Sequence, residues 1–237
     1  MTKTFEDVYG VDVIHAWGMT EMSPLGSACT MKPEYAGLAG EARLDIQQTQ
    51  GPPPFLVEMK ITDDADRELP WDGGTFGRLK VRGPAVARSY FKGEGGNVLD
   101  DEGYFDTGDV ATIDRHGYMH VTDRSKDVIK SGGEWISSIE LENLAVGHPK
   151  VAEAAVIGVK HPKWDERPLL VVVTKKGQTA TKDELLAFIK GKIAAWWLPD
   201  DVVFVDEIPH TATGKIQKTA LRERFKDHVL PSVTAAG

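Results

Sequence analysis

The stretch Arg167-Pro-Leu-Leu-Val-Val-Val-Thr-Lys-Lys176 (RPLLVVVTKK) places five apolar residues in a row, Leu169 to Val173, and closes them with a threonine and two lysines. Most of the run is β-branched, which predicts a central strand. Its neighbours complete a pattern. VAEAAVIGVKH (151–161) reads as a second strand just upstream. WISSIELENLAVGHP (135–149) before it reads as a helix, with Ser137 or Ser138 as cap and Glu140 in the first turn. Downstream, TKDELLAFIKGKIAAWW (181–197) opens with a Thr181-x-x-Glu184 capping box and predicts an amphipathic helix. VVFVDEIP (202–209) is a further strand and KTALRERFKDHV (218–229) a final helix. The order α-β-β-α-β-α describes a small α+β domain of about 110 residues.

Residues before this domain have a different character. FLVEMKITD (55–63) and GRLKVRG (77–83) alternate as strands do. GYFDTGDVATIDRHGYMHVTD (103–123) reads as two strands joined at Asp114-Arg-His-Gly117. Charge divides in the same place. Residues 1–123 hold 11 Lys and Arg against 21 Asp and Glu, whereas residues 124–237 hold 17 against 15. That asymmetry predicts two units with different tasks, 1–123 and 124–237, with the boundary near Asp123–Lys130. The overall charge of −8 in 237 residues argues against a nucleic-acid partner, which would want a basic face. No apolar run approaches the ~20 residues of a membrane span, and the first ten residues do not form a secretory signal. The one cysteine, Cys29, excludes an internal disulfide and reads as a small buried hydrophobe in a reducing, cytoplasmic setting.

Four stretches carry chemistry. In HAWGMTEMSP (15–24), Trp17 suits stacking on a base, Thr20 offers a hydroxyl to a phosphate, and Glu21 is a hard oxygen ligand for Mg²⁺. The same residues also read as a buried tryptophan on a turn. In YFDTGDVA (104–111), Asp109 follows a Thr-Gly turn. A carboxylate there matches the two hydroxyls of a ribose or, equally, caps a turn. DRSKDVIKSGGEWISSIELE (123–142) holds Arg124, which suits a phosphate, and Gly132-Gly133, which permits positive φ. It reads otherwise as a solvated linker. PHTATGKIQK (209–218) presents Lys215 after a glycine but lacks the GxxxxGK[ST] spacing of a phosphate-binding P-loop.

The four stretches occur together and in order. On them the chain resembles the C-terminal half of an adenylate-forming enzyme of the acyl-CoA synthetase/luciferase superfamily. HAWGMTEMSP, SGGEWISS and HPKWDERPLLVVV are most similar to medium- and long-chain fatty-acid–CoA ligases. The resemblance implies an α/β and α+β fold: the β-rich C-terminal part of a large adenylate-forming domain, then a small mobile α+β domain. It implies that ATP and a fatty acid give an acyl-adenylate and pyrophosphate, and that coenzyme A then takes the acyl group and releases AMP. By this resemblance Trp17 and Gly18 lie against the adenine. Thr20 and Glu21 meet phosphate and Mg²⁺. Asp109 binds the ribose, and Arg124 reaches ribose or phosphates. Lys126 is the hinge. Lys130, Glu134 and Trp135 come near the nucleotide, and Gly132 and Gly133 line the pantetheine path. Lys215 catalyses the first half-reaction. As the carboxylate attacks the α-phosphate, charge builds on its equatorial oxygens, where a preorganised ammonium is worth roughly 10²–10³ in rate.

The family also has a Ser/Thr/Gly-rich phosphate loop ahead of the Trp-Gly-x-Thr-Glu motif, and this sequence shows none. The expectation is that the chain alone makes acyl-adenylate poorly, that residues 1–122 are the less stable part, and that 124–237 fold independently. A carrier-protein phosphopantetheine in place of coenzyme A, and a non-catalytic nucleotide-binding role, are the alternatives. Family members are often dimers, so a homodimer is among the expected assemblies.

Overall fold

A computed structural model describes residues 2–212 and 214–234. The chain divides into two compact units, Met1–Ser125 and Lys126–Gly237. The first contains α1 (Thr2–Tyr9), β1 (Ala16–Gly18), β2 (Leu25–Ala28), α2 (Gly40–Gln47), β3 (Glu58–Thr62), β4 (Gly77–Arg82), β5 (Phe105–Ile113) and β6 (Met119–Arg124). The second contains β7 (Ile129–Ser131), β8 (Glu134–Ile136), α3 (Ser138–Val146), β9 (Val151–His161), β10 (Asp165–Thr174), α4 (Lys182–Ile189), β11 (Asp201–Phe204), α5 (Lys218–Arg224) and α6 (Pro231–Thr234).

In the first unit β3-β4-β5-β6 form an antiparallel sheet in chain order, and β1-β2 make a separate ladder. The period-2 alternation of the strands sends Met59, Ile61, Leu79 and Val81 into one core with Met22, Phe105, Ile113 and Met119. Lys60 and Lys80, directly opposite each other, point to the other face. Their stems are buried beneath acids: Lys60 meets Glu102 at 2.5 Å, and Lys80 meets Asp66 and Asp100 at 2.9 Å each. Burial alone would lower the Lys80 pKa, but these two carboxylates outweigh it and raise it. The turn expected at Asp114–Gly117 is present. Asp114 Oδ1 accepts from the backbone N–H groups of His116 and Tyr118, and Gly117 takes φ 84°. Cys29 is buried, with its thiol donating to the Ile46 carbonyl at 3.1 Å.

In the second unit β10 lies between antiparallel β9 and parallel β11. Leu169, Leu170, Val171 and Val172 are all 0% exposed, because helices cover both faces of this strand. Ala155, Ile157, Leu169 and Val171 pack with Ile208, Leu221 and Leu230 on one side. Leu170 and Val172 alternate to the other, where α3 packs on β9 and α4 on α3 and β11. Each buried leucine or valine contributes roughly 1.5–3 kcal/mol.

Four elements differ from the sequence expectation, among them the strand expected over 202–209, which ends at Phe204. Glu134–Ile136 is a strand and not the start of a helix, because Gly132 and Gly133 (φ 63° and 88°) reverse the chain and pair Lys130 with Trp135. The helix begins at Ser138, after Ser137, whose side chain accepts from Glu140 N at 3.1 Å. The helix expected over 181–197 ends at Ile189. Lys190 leaves the helical region, Gly191 takes φ 84°, and a short 3₁₀ turn covers Ala195–Trp197. The final helix stops at Arg224, before the expected 229.

Candidate functional site

Asp109 is placed by a bulge. Arg78 pairs with Val110 and Lys80 with Asp106, so Leu79 alone faces Thr107, Gly108 and Asp109. Gly108 absorbs the extra length at φ 71°. Thr107 Oγ1 donates to the Leu79 carbonyl at 2.9 Å and accepts from Asp109 N at 3.1 Å. Asp109 is thereby fixed with its side chain 4% exposed. Each carboxylate oxygen has a partner. Arg124 Nε donates to Oδ1 at 2.9 Å from the facing position on β6. Trp17 Nε1 donates to Oδ2 at 2.9 Å from β1. Three of the residues singled out in the sequence, 92 and 15 positions apart, are thus one hydrogen-bonded group.

Trp17 is half-buried against the first unit's core. Gly18 ends β1 and is exposed. Thr20–Met22 then make a 3₁₀ turn that presents Thr20 to solvent. Glu21 is held from behind: Ala87 N donates to its backbone carbonyl and the Tyr90 hydroxyl to its Oε1, both at 2.7 Å. That bond to the Glu21 carboxylate raises the Tyr90 pKa. Among the described residues no three His, Cys, Asp or Glu side chains gather as a metal cluster. A lone carboxylate is compatible with Mg²⁺, which keeps several waters and is commonly held by one or two carboxylates plus substrate phosphates. Tyr90 was not singled out by the sequence reading; its partner lies 69 positions away.

In the second unit Lys126 is exposed at the first position. The Lys130 ammonium lies 5.6 Å from the centre of the Trp135 ring. Glu134 and both glycines of the β7-β8 turn are exposed. The turn borders a cavity of about 440 Å³ lined also by Ser131, Trp164, Arg167 and Trp196. A Cβ on Gly132 would lie 2.9 Å from the Trp164 ring, so the glycine lets the ring lie against the turn. Arg167 braces this cavity: it bonds Asp200 Oδ1 at 2.6 Å, Ser131 Oγ at 3.1 Å and the carbonyls of Trp196 and Leu198 at 2.7 and 3.1 Å. Ser131, Trp164, Arg167, Trp196 and Asp200 are the lining residues that sequence reading missed. The adjacent tryptophans at 196–197, read as the end of a helix, were the available signal.

Lys215 is exposed on a closed loop. Thr211 N donates to the Lys215 carbonyl at 2.8 Å, and Lys215 N to Thr211 Oγ1 at 3.2 Å. Thr213, part of the stretch that drew attention to this loop, lies outside the described residues.

The first unit thus holds a buried carboxylate clasped by an indole and a guanidinium, and the second an exposed lysine on a closed loop. The family of AMP-binding enzymes matches residues 1–91, and the AMP-binding enzyme C-terminal domain matches residues 140–215. The chain belongs to this family. It is 58% identical to the 3-methylmercaptopropionyl-CoA ligase of Ruegeria pomeroyi, over 96% of this chain and 42% of the relative. It is 48% identical to the medium-chain-fatty-acid–CoA ligase of Ectopseudomonas oleovorans, over 98% of this chain and 42% of that one. The crystal structure of ATP-bound MatB from Rhodopseudomonas palustris superposes with a TM-score of 0.78 at 33% identity, over 95% of this chain and 43% of MatB. The chain therefore spans about two fifths of the length of these relatives. No helix among the described residues is long and apolar enough to cross a membrane.

Proposed function

We propose that this chain carries the nucleotide-binding and carboxylate-activating parts of an acyl-CoA ligase. ATP and a carboxylate give an acyl-adenylate and pyrophosphate. The thiol of coenzyme A then attacks the acyl carbon, and AMP leaves as the thioester forms. The observation that carries this reading is the Asp109 carboxylate, buried and oriented between Trp17 and Arg124. Two acceptor oxygens match the two vicinal hydroxyls of a ribose. Trp17 and Gly18 then form the adenine wall, and Thr20 donates to phosphate. Arg124 bridges to the same nucleotide, and Lys130, Glu134 and Trp135 approach it. Glu21, steadied by Tyr90, is the proposed Mg²⁺ ligand; the bound ion would neutralise phosphate charge.

Lys215 supplies the cation that stabilises the pentavalent phosphate as pyrophosphate leaves. The loop that holds it fixes the backbone and leaves the side chain extended into solvent, which suits a group brought in for one step and withdrawn for the next. Lys126 is the proposed hinge. The Gly132–Gly133 turn and the Trp164–Trp196 cavity suit the narrow, largely apolar pantetheine arm.

For the acid, a linear carboxylate is proposed, a class that includes medium-chain fatty acids and 3-methylmercaptopropionate. The test is a chimera in which these residues replace the matching part of the Ruegeria pomeroyi ligase, assayed for pyrophosphate and thioester with each acid. ATP-dependent thioester formation is expected. AMP binding without any turnover would favour the non-catalytic reading. Transfer to a phosphopantetheinylated carrier protein but not to coenzyme A would favour the carrier-protein alternative.

A further inference from the structure

We propose that Trp17 is a positioning residue for the sugar as well as a wall for the base: its indole N–H sets the orientation in which Asp109 receives the ribose hydroxyls. The inference rests on the nucleotide reading given above and adds a role that stacking does not require.

The two donors to Asp109 differ in what they can do. An indole N–H is a donor only, so against a carboxylate it has one geometry to offer. Its ring is also locked. Gly26 lies so close beneath it that a Cβ there would sit 2.2 Å from Trp17 Cζ3 and 2.7 Å from the Met22 sulfur. Across the ladder, Trp17 is paired with Ser27, which is 0% exposed and anchored to the Gln50 carbonyl at 2.8 Å. Arg124 is the looser partner, with half of its side chain (51%) exposed. Between a rigid neutral donor and a flexible charged one, the rigid donor sets the carboxylate plane. The charged one, bonded through Nε from a half-exposed side chain, adds attraction. A phenylalanine at position 17 would keep an aromatic face and lose the N–H. Asp109 would then lose the donor to its Oδ2.

The experiment compares two ligands on two proteins. Binding of AMP and of 2′,3′-dideoxyadenosine monophosphate is measured calorimetrically on the chain and on Trp17→Phe. On the unsubstituted chain AMP is expected to bind more tightly than the dideoxy analogue. In Trp17→Phe, AMP affinity is expected to fall about tenfold while the analogue changes less than about twofold, the size of one lost charge-assisted hydrogen bond. Equal weakening of both ligands overturns the proposal and leaves Trp17 as a stacking wall. If the unsubstituted chain does not distinguish the two ligands, or binds neither, it is the assignment of Asp109 to ribose that fails, and the proposal falls with it. A second measurement needs no ligand and guards against misfolding of the variant. The indole Nε1–H resonance of Trp17, identified by its loss in Trp17→Phe or, if that variant does not fold, by assignment in the unsubstituted chain, is expected to move in Asp109→Asn. A resonance that stays in place overturns the proposal.

Discussion

Asp109 and Lys215 are held in opposite ways. The carboxylate is buried behind a bulge, bonded through both oxygens, and locked by residues from three separate strands. The lysine is exposed on a loop closed by one backbone bond and one bond to the Thr211 hydroxyl. A group that recognises the same ligand throughout a cycle gains from rigidity. A group used in one step only gains from a fixed base and a free tip. The contrast predicts that damage at Asp109 costs stability as well as function, and that damage at Lys215 costs function alone.

The largest effect tests the mobile side. In the chimera, Lys215→Ala is expected to lower adenylate formation by roughly 10²–10³. Thioester formation from supplied acyl-adenylate and the melting temperature should stay near the unsubstituted values. A parallel loss of Tm would break the contrast. Core damage comes next: Leu170→Ala, at 0% exposure, is expected to destabilise the second unit by about 2–5 kcal/mol in chemical denaturation. Asp109→Ala should destabilise the first unit by about 1–3 kcal/mol, because it leaves the part-buried Trp17 N–H without its acceptor. It should also weaken AMP binding. If AMP affinity fell with no loss of stability, the two sites would not differ in kind.

Smaller is Ser137→Ala, which removes the oxygen that accepts from Glu140 N and should cost about 1 kcal/mol. The smallest effect is a pH effect confined to the first unit. Asp72 accepts from the Thr75 hydroxyl and from the backbone N–H groups of Thr75 and Gly74, which hold its pKa down to about 2. A depressed folded pKa gives stability that is complete above the unfolded value of about 3.9 and is lost as pH falls towards 2. Asp72→Asn is expected to flatten the acid limb of the first unit's stability between those values and to leave the second unit's unchanged.

Local signals were legible and long-range ones were not. Leu169–Val173 announced the central strand because an unbroken apolar run rich in valine, bounded by polar residues, suits a strand covered on both faces. Asp114–Gly117 announced its turn because aspartate and glycine each satisfy a specific backbone need there. Thr181 was readable as a cap, and the other cap was narrowed to Ser137 or Ser138, of which the structure uses Ser137. The hairpin at Gly132-Gly133 was not legible, since a linker and a two-residue hairpin turn have the same composition. The pairing of Lys130 with Trp135 that decides between them is a property of the fold. Asp109 could be picked out by its Thr-Gly neighbour, but the indole that clasps it comes from 92 residues away. Tyr90 behind Glu21 and Arg167 behind the cavity were missed because their partners lie 69 and about 30 positions off. Length of helix α4 was overestimated because amphipathic periodicity continues past Ile189, and a glycine at φ 84° cancels it.

Arg167 ties the Ser131 end of the glycine hairpin and the Trp196–Asp200 segment to a single planar group. The opposite walls of the cavity share one cross-beam, so neither wall can swing out without releasing the other. Backbone amides of residues 129–136 and 195–200 should accordingly exchange with deuterium in step. Lysine, with three donors and no plane, could not span the same four acceptors.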